Sequence, residues 1–419
     1  MGHQKMVKTD LIEIMPKPEV SVRCVNCQSQ AVDVHGYLFE GIHVLWDCIC
    51  PNCNTIFYQT LPISHDALFP IAFSKDGLKS NYNKRAEVWL AKPLIHAVTR
   101  NIIIRPAIEI KQFKEFGEAI LLNCLDDCFG HVYAKLWNAQ RLLEKYPEKS
   151  VIVLIPRKMQ WLIPEGVAEV WLVDVRFKEM EKYIANLDDL VKKEMARFSH
   201  FYVAVAPVFL DTDKVDDYKF LKVEKFELKQ FNDLKPQVTF VLREDRFWHA
   251  NRMEEFLNRV LIKFKWQRYF RRLLVWRQNK LVKQAIRRIK ASSYEISFVI
   301  TGLGSNGSFG RLAKDRRVDN ISVAIEREWC EIYAKSHIVV GVHGSNMLIP
   351  TSLAAGFIEI LPEYKISHMG EDTVMRYSGR YAMLLGRHVD AFIHPALLAQ
   401  HVLHMLNFGE LYEEIESNS

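Results

Sequence analysis

The chain has 419 residues, 49% of them apolar and 25% charged, with a formal net charge of +6. That length accommodates two or three domains of ordinary globular composition, and so small a charge excess does not by itself call for nucleic acid. No apolar stretch reaches the length of a membrane-spanning helix, the N-terminal stretch lacks the apolar core of a secretory signal, and Met6 breaks the myristoylation pattern that Met-Gly opens. A cytoplasmic protein is expected.

Residues 1–75 form a compositional island with five of the eight cysteines. Cys24-x2-Cys27 and Cys50-x2-Cys53, separated by 22 residues, each predict a knuckle that aims two thiolates at one ion. Two knuckles complete a tetrahedral sulfur site. The expectation is a small β-rich zinc ribbon whose closed, structural Zn2+ leaves no position for catalysis. The bland alternative is a set of metal-free thiols. Cys48 competes with Cys50 as a ligand, and His35 and His43 read as ordinary loop residues. The dispersed Cys124, Cys128 and Cys330 fit a reducing compartment.

Next, RNIIIRPAIEI reads as a strand interrupted by Pro106. Strands and helices then alternate: a strand over Ala119–Asn123, an amphipathic helix over 131–146, a strand in SVIVLIP, a short helix or turn in MQWLIP, and a strand in VAEVWLVDV. A helix over 177–195 and a strand in SHFYVAVAPVF follow. Asp126, Asp127 and His131 lie at the exit of the first of these strands. The polar stretch 214–235 reads as a linker.

A second alternating set begins with QVTFV, whose exit LREDR carries Arg243 and Arg246, suited to clamping a diphosphate or equally to a solvated charge cluster. Residues 248–290 read as a long helical stretch. Its part from Arg252 to Lys290 holds thirteen Lys/Arg and two acidic residues, and Ile262, Trp266, Tyr269, Leu273 and Trp276 can share one helical face. Such a helix suits peripheral contact with an anionic membrane, unless the apolar face packs inside the domain. The strand EISFVITGLG opens a glycine-rich loop with Gly302 and Gly304, either a phosphate cradle or a mobile loop. After a helix over 323–335, the run Ile338–Val342 reads as a buried parallel strand. It ends in His343-Gly344-Ser345-Asn346, before a short helix over 347–355 and a strand over 357–361. The amides of Ser345, Asn346 and Met347 at a helix start favour an anion, and His343 can donate to phosphate; a local helix cap is the alternative. Glu359 is a carboxylate in an apolar strand and needs a partner, either a ribose hydroxyl or a structural hydrogen bond. A last helix is expected over 395–406, and packing back on the first domain is open to it. Two alternating sets imply two doubly wound α/β domains with a cleft between them, with boundaries at 1–75, 76–235 and 236–419.

VVGVHGSNMLIPTSLAAGFIEILP resembles the signature of family 61 glycosyltransferases, and LREDR is similar to that family's arginine-rich segment. The resemblance spans about residues 119 to 390 and is specific in the second half. It implies a GT-B arrangement of two Rossmann-like domains, with the nucleotide-sugar donor on the C-terminal one and a glycan or lipid-linked glycan acceptor in the cleft. It implies inverting transfer without a metal, with His343 and Gly344 on the donor phosphates and Arg243 neutralising them. The cysteine island lies outside the family pattern. An inverting transfer needs a base for the acceptor hydroxyl, and His131 is the first candidate, ahead of Asp127 and Asp126; the alternative is that Asp127 caps the helix and His131 packs on it. Family members place a histidine in a comparable loop. Two rivals stand beside this expectation. One is a GT-B-like protein that binds nucleotide or glycan without turnover. The other is a zinc-ribbon nucleic-acid protein, disfavoured because no Lys/Arg cluster flanks the cysteines.

Overall fold

The computed structural model describes residues 10–15, 22–100, 102–114, 117–208, 214–292, 295–374 and 384–407. The chain divides into two compact units, Met1–Leu210 and Asp211–Ser419. Both mix helices with sheets, as the alternating pattern predicts.

The strands of the first unit are β1 (Leu11–Met15), β2 (Asp33–Glu40), β3 (His43–Ile49), β4 (Ile56–Thr60), β5 (Ala72–Ser74), β6 (Ser80–Asn81), β7 (Ile103–Ile104), β8 (Ile108–Gln112), β9 (Glu118–Asn123), β10 (Ser150–Pro156), β11 (Glu169–Val173), β12 (Tyr183–Ile184) and β13 (His200–Ala204). Six of them form one sheet in the order β1-β13-β9-β10-β11-β8. Its four central strands are parallel, and β1 and β8 close the edges in antiparallel pairing. The central strands are almost continuous in Val, Ile and Leu, which suits burial on both faces. The strand order reverses between β9 and β13, and the exits of these two strands define the crevice where doubly wound sheets place ligands.

The cysteine-bearing segment builds an antiparallel sheet in the order β2-β3-β4-β5-β6. It is not a separate domain. Cys24, Val44, Trp46 and Phe57 lie in one apolar core with Leu121, Leu154 and Trp171 of the parallel sheet. The expected boundary at residue 75 does not coincide with the division between the two units, because one face of the small sheet packs on the parallel sheet while its other face holds a core of its own with Leu90 and Leu94.

The second unit holds β14 (Gln237–Leu242), β15 (Ser297–Gly302), β16 (Lys314–Asp315), β17 (Ile338–Val342), β18 (Gly356–Leu361) and β19 (Gly386–Asp390). All pair in parallel, in the order β16-β15-β14-β17-β18-β19. Counted from β14 this is 3-2-1-4-5-6, the order of the dinucleotide-binding sheet, with its reversal between β14 and β17.

Several local expectations change. The stretch expected as one helix over 177–195 is a 3-10 turn, strand β12 and a helix at Leu187–Met195. The expected linker 214–235 belongs to the second unit: Phe226 and Phe231 pack with Ala355 and Leu385, and the Phe226 amide donates to the Leu353 carbonyl. The helix Pro395–Leu406 packs in the second unit rather than returning to the first, with Leu398, Val402 and Met405 buried beside Ile286 and Ile289. No helix among the described residues is long and apolar enough to cross a membrane.

Candidate functional site

The four cysteines converge as their spacing predicts. Sγ of Cys24 lies 3.6 Å from Sγ of Cys53, and Cys27 lies 3.5 Å from Cys50. All four sulfurs fall within 4.8 Å of one another. The two knuckles repeat one backbone design. Cys24 N donates to Ser29 O and Gln28 N to Cys24 O; Cys50 N donates to Thr55 O and Asn54 N to Cys50 O. Gln28 and Asn54 both turn through positive φ, so each loop curls around its thiols. A cage of four thiols with no disulfide fits one tetrahedral ion. Cys48 is excluded from it: the thiol sits on β3, wholly buried in the core, and burial followed by the Asp47 charge pushes it up to about 12. His35 and His43 are strand residues of the intervening hairpin rather than loop residues, and neither belongs to the cysteine group.

That hairpin reaches the second point of interest. Its tip, Gly41-Ile42, approaches the exit of β9, where Asn123 Nδ2 donates to Gly41 O at 3.0 Å. Beyond Asn123, at the reversal of the first sheet, stand Asp126, Asp127 and His131, brought together as expected. They line a pocket with Glu40, Ile42 and His43 of the hairpin, His65, and an apolar wall that includes Trp89, Leu90 and Leu94. An apolar wall facing a few convergent polar groups is the usual make-up of a small-molecule site.

Asp126 is the hub. It is 1% exposed, and its Oδ1 lies 2.9 Å from His131 Nδ1. Its Oδ2 lies 2.7 Å from the ammonium of Lys135 and 3.5 Å from His65 Nε2. Lys135, fully buried, spends a hydrogen bond on the Leu125 carbonyl at 2.8 Å. Burial alone would raise the Asp126 carboxyl. The Lys135 charge, then the hydrogen bond from His131 and the nearby His65 imidazole, overcome it and hold the group well below the usual carboxylate range. Burial tends to lower His131, but the hydrogen bond and charge of Asp126 prevail and raise it above its ordinary value. His65 goes the other way, lowered chiefly by burial. Asp127 has surface open to solvent, yet desolvation of its carboxyl, with Asp126 beside it, pushes it up to about 6. It does not cap the following helix, whose N-cap is Cys128.

The result is an imidazole fixed through Nδ1 by a buried carboxylate. His131 is 35% exposed at its side chain, and its Nε2 has no hydrogen-bond partner among the described residues. A fixed tautomer with one nitrogen presented to a pocket is the arrangement of a general base. His65, Asp126 and His131 also have ligand atoms close enough for one ion, but the buried Lys135 ammonium already neutralises that carboxylate. Sequence reasoning missed His65, Lys135 and Trp89. His65 sits in a short 3-10 turn, Ser64–Ala67, with no pattern around it, and Lys135 reads as a solvated helix residue.

The second unit departs further from expectation. His343 does follow β17 at the reversal of the sheet, but its imidazole has no exposed surface. Nδ1 is held by Glu359 of the neighbouring strand, and Nε2 lies 3.2 Å from the His368 carbonyl. It is therefore closed to a phosphate and braces the turn instead. Glu359, also fully buried, accepts from Thr373 Oγ1 at 2.9 Å, and His388 Nε2 stands 3.4 Å away. Of the two partners expected for this carboxylate, the structural one is present. The expected helix start is a 3-10 turn, Ser345–Met347, before a helix of six residues, Leu348–Leu353, and the Met347 amide is already bonded to Gly344 O. The anion-binding role of Ser345, Asn346 and Met347 amides is thereby weakened to geometry too short to carry a helix dipole.

What remains at that reversal is the guanidinium of Arg246, with Arg243, Glu244 and Asp245 on the same strand exit. Arg246 Nη1 donates to the His343 carbonyl at 2.6 Å, and its other N–H groups have no hydrogen-bond partner among the described residues. Arg243 is paired with Asp245, its Nε 2.7 Å from Oδ1. Gly344 has φ +154°, and a Cβ there would strike the Arg246 guanidinium. Gly302, at the exit of β15, has φ +108°, and a Cβ would fall 1.9 Å from the Leu242 carbonyl oxygen. Gly304 brings the loop against Glu244, whose carboxylate accepts from the Ser305 amide at 3.2 Å. Backbone rather than a mobile side chain blocks Gly302, so Gly302→Ala is expected to cost about 3 kcal/mol or more, read as a lower midpoint in urea unfolding.

No protein-family model and no curated protein matches the chain.

Proposed function

We propose that this chain is an inverting glycosyltransferase in a GT-B arrangement, carrying a sugar from a nucleotide-sugar donor to the hydroxyl of a glycan acceptor. The observation that carries the proposal is the His131–Asp126 pair at the strand reversal of the first unit. In it a buried, ionised carboxylate orients an imidazole whose Nε2 faces a pocket. In the transfer step Nε2 takes the proton of the acceptor hydroxyl as its oxygen attacks the anomeric carbon, and the bond to the nucleoside diphosphate breaks on the opposite face. Asp126 stabilises the imidazolium that forms, and Lys135 keeps Asp126 ionised. Trp89 and its apolar neighbours suit the C–H face of a sugar, while Asp127 and His65 suit its hydroxyls.

The donor belongs at the β14/β17 reversal of the second unit. Arg246 and Arg243 supply charge for the leaving diphosphate, and His343 acts from behind by fixing the turn that positions Arg246. The four-cysteine cage holds a structural Zn2+ that fastens the hairpin to the acceptor pocket and takes no part in transfer. The test is His131→Ala. Nucleotide-sugar binding should be retained while release of nucleoside diphosphate falls roughly 10²–10⁴-fold; an unchanged turnover rate removes His131 from the mechanism.

A further inference from the structure

We infer that the apex of the helical hairpin between β14 and β15 docks on an anionic lipid surface. The sequence suggests one amphipathic helix here, but the structure makes two, Arg252–Lys263 and Gln267–Lys290. They are joined through Lys265 at φ +59°. The far half of the second helix is core, with Val282, Ala285, Ile286 and Ile289 buried against the sheet. Its near half pairs with the first helix, where Leu261 and Leu274 are buried together against Phe247. Gln267 Nε2 donates to Asn258 Oδ1 at 3.1 Å, and Arg277 pairs with Glu254, so the two helices are clamped to each other.

At the apex the burial pattern inverts. Ile262, Phe264, Trp266, Tyr269 and Phe270 are each between 44% and 67% exposed. An inward-facing apolar stripe would be buried, so internal packing does not explain them. The same eleven residues, Ile262 to Arg272, contain five Lys/Arg and no carboxylate. Nearby acidic groups are taken by Arg259, Arg271 and Arg277. Among the described residues no carboxylate pairs with Lys263, Lys265, Arg268 or Arg272; Arg268 instead donates to the Tyr269 hydroxyl and lies over its ring.

Charge and shape select the partner. Exposed apolar groups this close together mark a contact surface. They cover the joint and continue along both helices, with Phe256 and Leu257 behind Ile262 and with Leu273 and Trp276 behind Tyr269, so the exposed apolar surface is broad rather than one narrow stripe and suits a planar apolar boundary better than a groove. Tryptophan, tyrosine and phenylalanine beside snorkelling lysines and arginines match the boundary between acyl chains and anionic headgroups. Unpaired nucleic acid would use the aromatic rings but gains nothing from the exposed aliphatic Ile262, Leu257 and Leu273. The inference rests on the second unit alone and stands apart from the transferase proposal, although a lipid-linked acceptor would bring the two together.

The test is cosedimentation of the full chain with phosphatidylcholine vesicles, with and without phosphatidylglycerol. Binding is expected only with phosphatidylglycerol, and should fall as salt rises. F264S/W266S/Y269S and K263Q/K265Q should each lower partitioning roughly tenfold or more while keeping the wild-type thermal transition, because all five side chains are exposed. R268Q/R272Q repeats the charge test on the second helix. Binding that ignores phosphatidylglycerol, or survives all three variants, overturns the inference. So does a self-association that F264S/W266S/Y269S abolishes without any lipid binding, which would make the apex a contact between copies of this chain. Salt-sensitive RNA binding lost in K263Q/K265Q, again without lipid binding, would assign the apex to nucleic acid.

Discussion

Cys27→Ser, or removal of metal with a chelator, will unfold the first unit. The expected size follows from two magnitudes. A structural zinc site contributes an apparent binding free energy of about 10–16 kcal/mol, whereas a whole domain is stable by only about 5–15 kcal/mol. The cage is not on a detachable appendage: Cys24 and the hairpin residues Val44 and Trp46 share their core with Leu121 and Leu154 of the parallel sheet. Its loss therefore exposes the face of that sheet and releases the Gly41–Asn123 contact that sets one wall of the pocket. Calorimetry should show the transition of the first unit lost or lowered by tens of degrees, with that of the second unit retained. Metal analysis should give one zinc per chain in the wild type. Cys48→Ala is the control. Its thiol is a small core group rather than a ligand, so zinc content should stay at one while stability falls modestly. Full zinc content in Cys27→Ser would show that the four sulfurs do not form the site.

The pH dependence of turnover should be set by His131. The base must be neutral to accept a proton, and its imidazole is raised above the ordinary value of 6.5 by Asp126. Activity should therefore climb with pH through an apparent pKa above 6.5. Replacing Asp126 removes the group that raises it, so the acid limb should move to lower pH even as the maximal rate drops by about 10²-fold or more. Asp126→Asn alone strands the buried Lys135 ammonium, at a cost of about 3–5 kcal/mol. The variant to measure is D126N/K135M, in which both charges leave together. A merely structural role for Asp126 would lower activity at every pH without moving the limb. Asp127, whose carboxyl is pushed up to about 6 by burial and by Asp126, contributes less than Asp126 to raising His131, so Asp127→Asn is expected to move the limb much less than D126N/K135M.

The two halves of the candidate site differed in how far the sequence disclosed them. The cysteine knuckles were legible because four ligands at fixed spacing leave few geometries. Asp126, Asp127 and His131 were legible because a short apolar strand followed by polar residues and a helix defines a strand exit. His65, Lys135 and Trp89 were not, since each arrives through tertiary packing of a segment that carries no periodic signal. His343 misled. Its place after β17 was correct, but whether a polar side chain there faces ligand or protein depends on the strand beside it. Glu359 on β18 reads from the sequence as a carboxylate needing a partner, and the two residues satisfy each other. The break at Lys265 was illegible because no glycine or proline marks it, and without that break the exposed apex reads as the buried face of one long helix.

Transfer from a nucleotide sugar requires the second unit to accept a nucleotide at the strand reversal where Arg246 stands. The direct measurement is the thermal transition of the wild type and of Arg246→Ala across a panel of nucleoside diphosphates and nucleotide sugars, since a ligand that binds only the folded state raises it. The transition of the second unit should rise with at least one nucleoside diphosphate and its sugar conjugate, and Arg246→Ala should lose most of that rise. A panel in which no nucleotide shifts the wild-type transition would contradict the assignment.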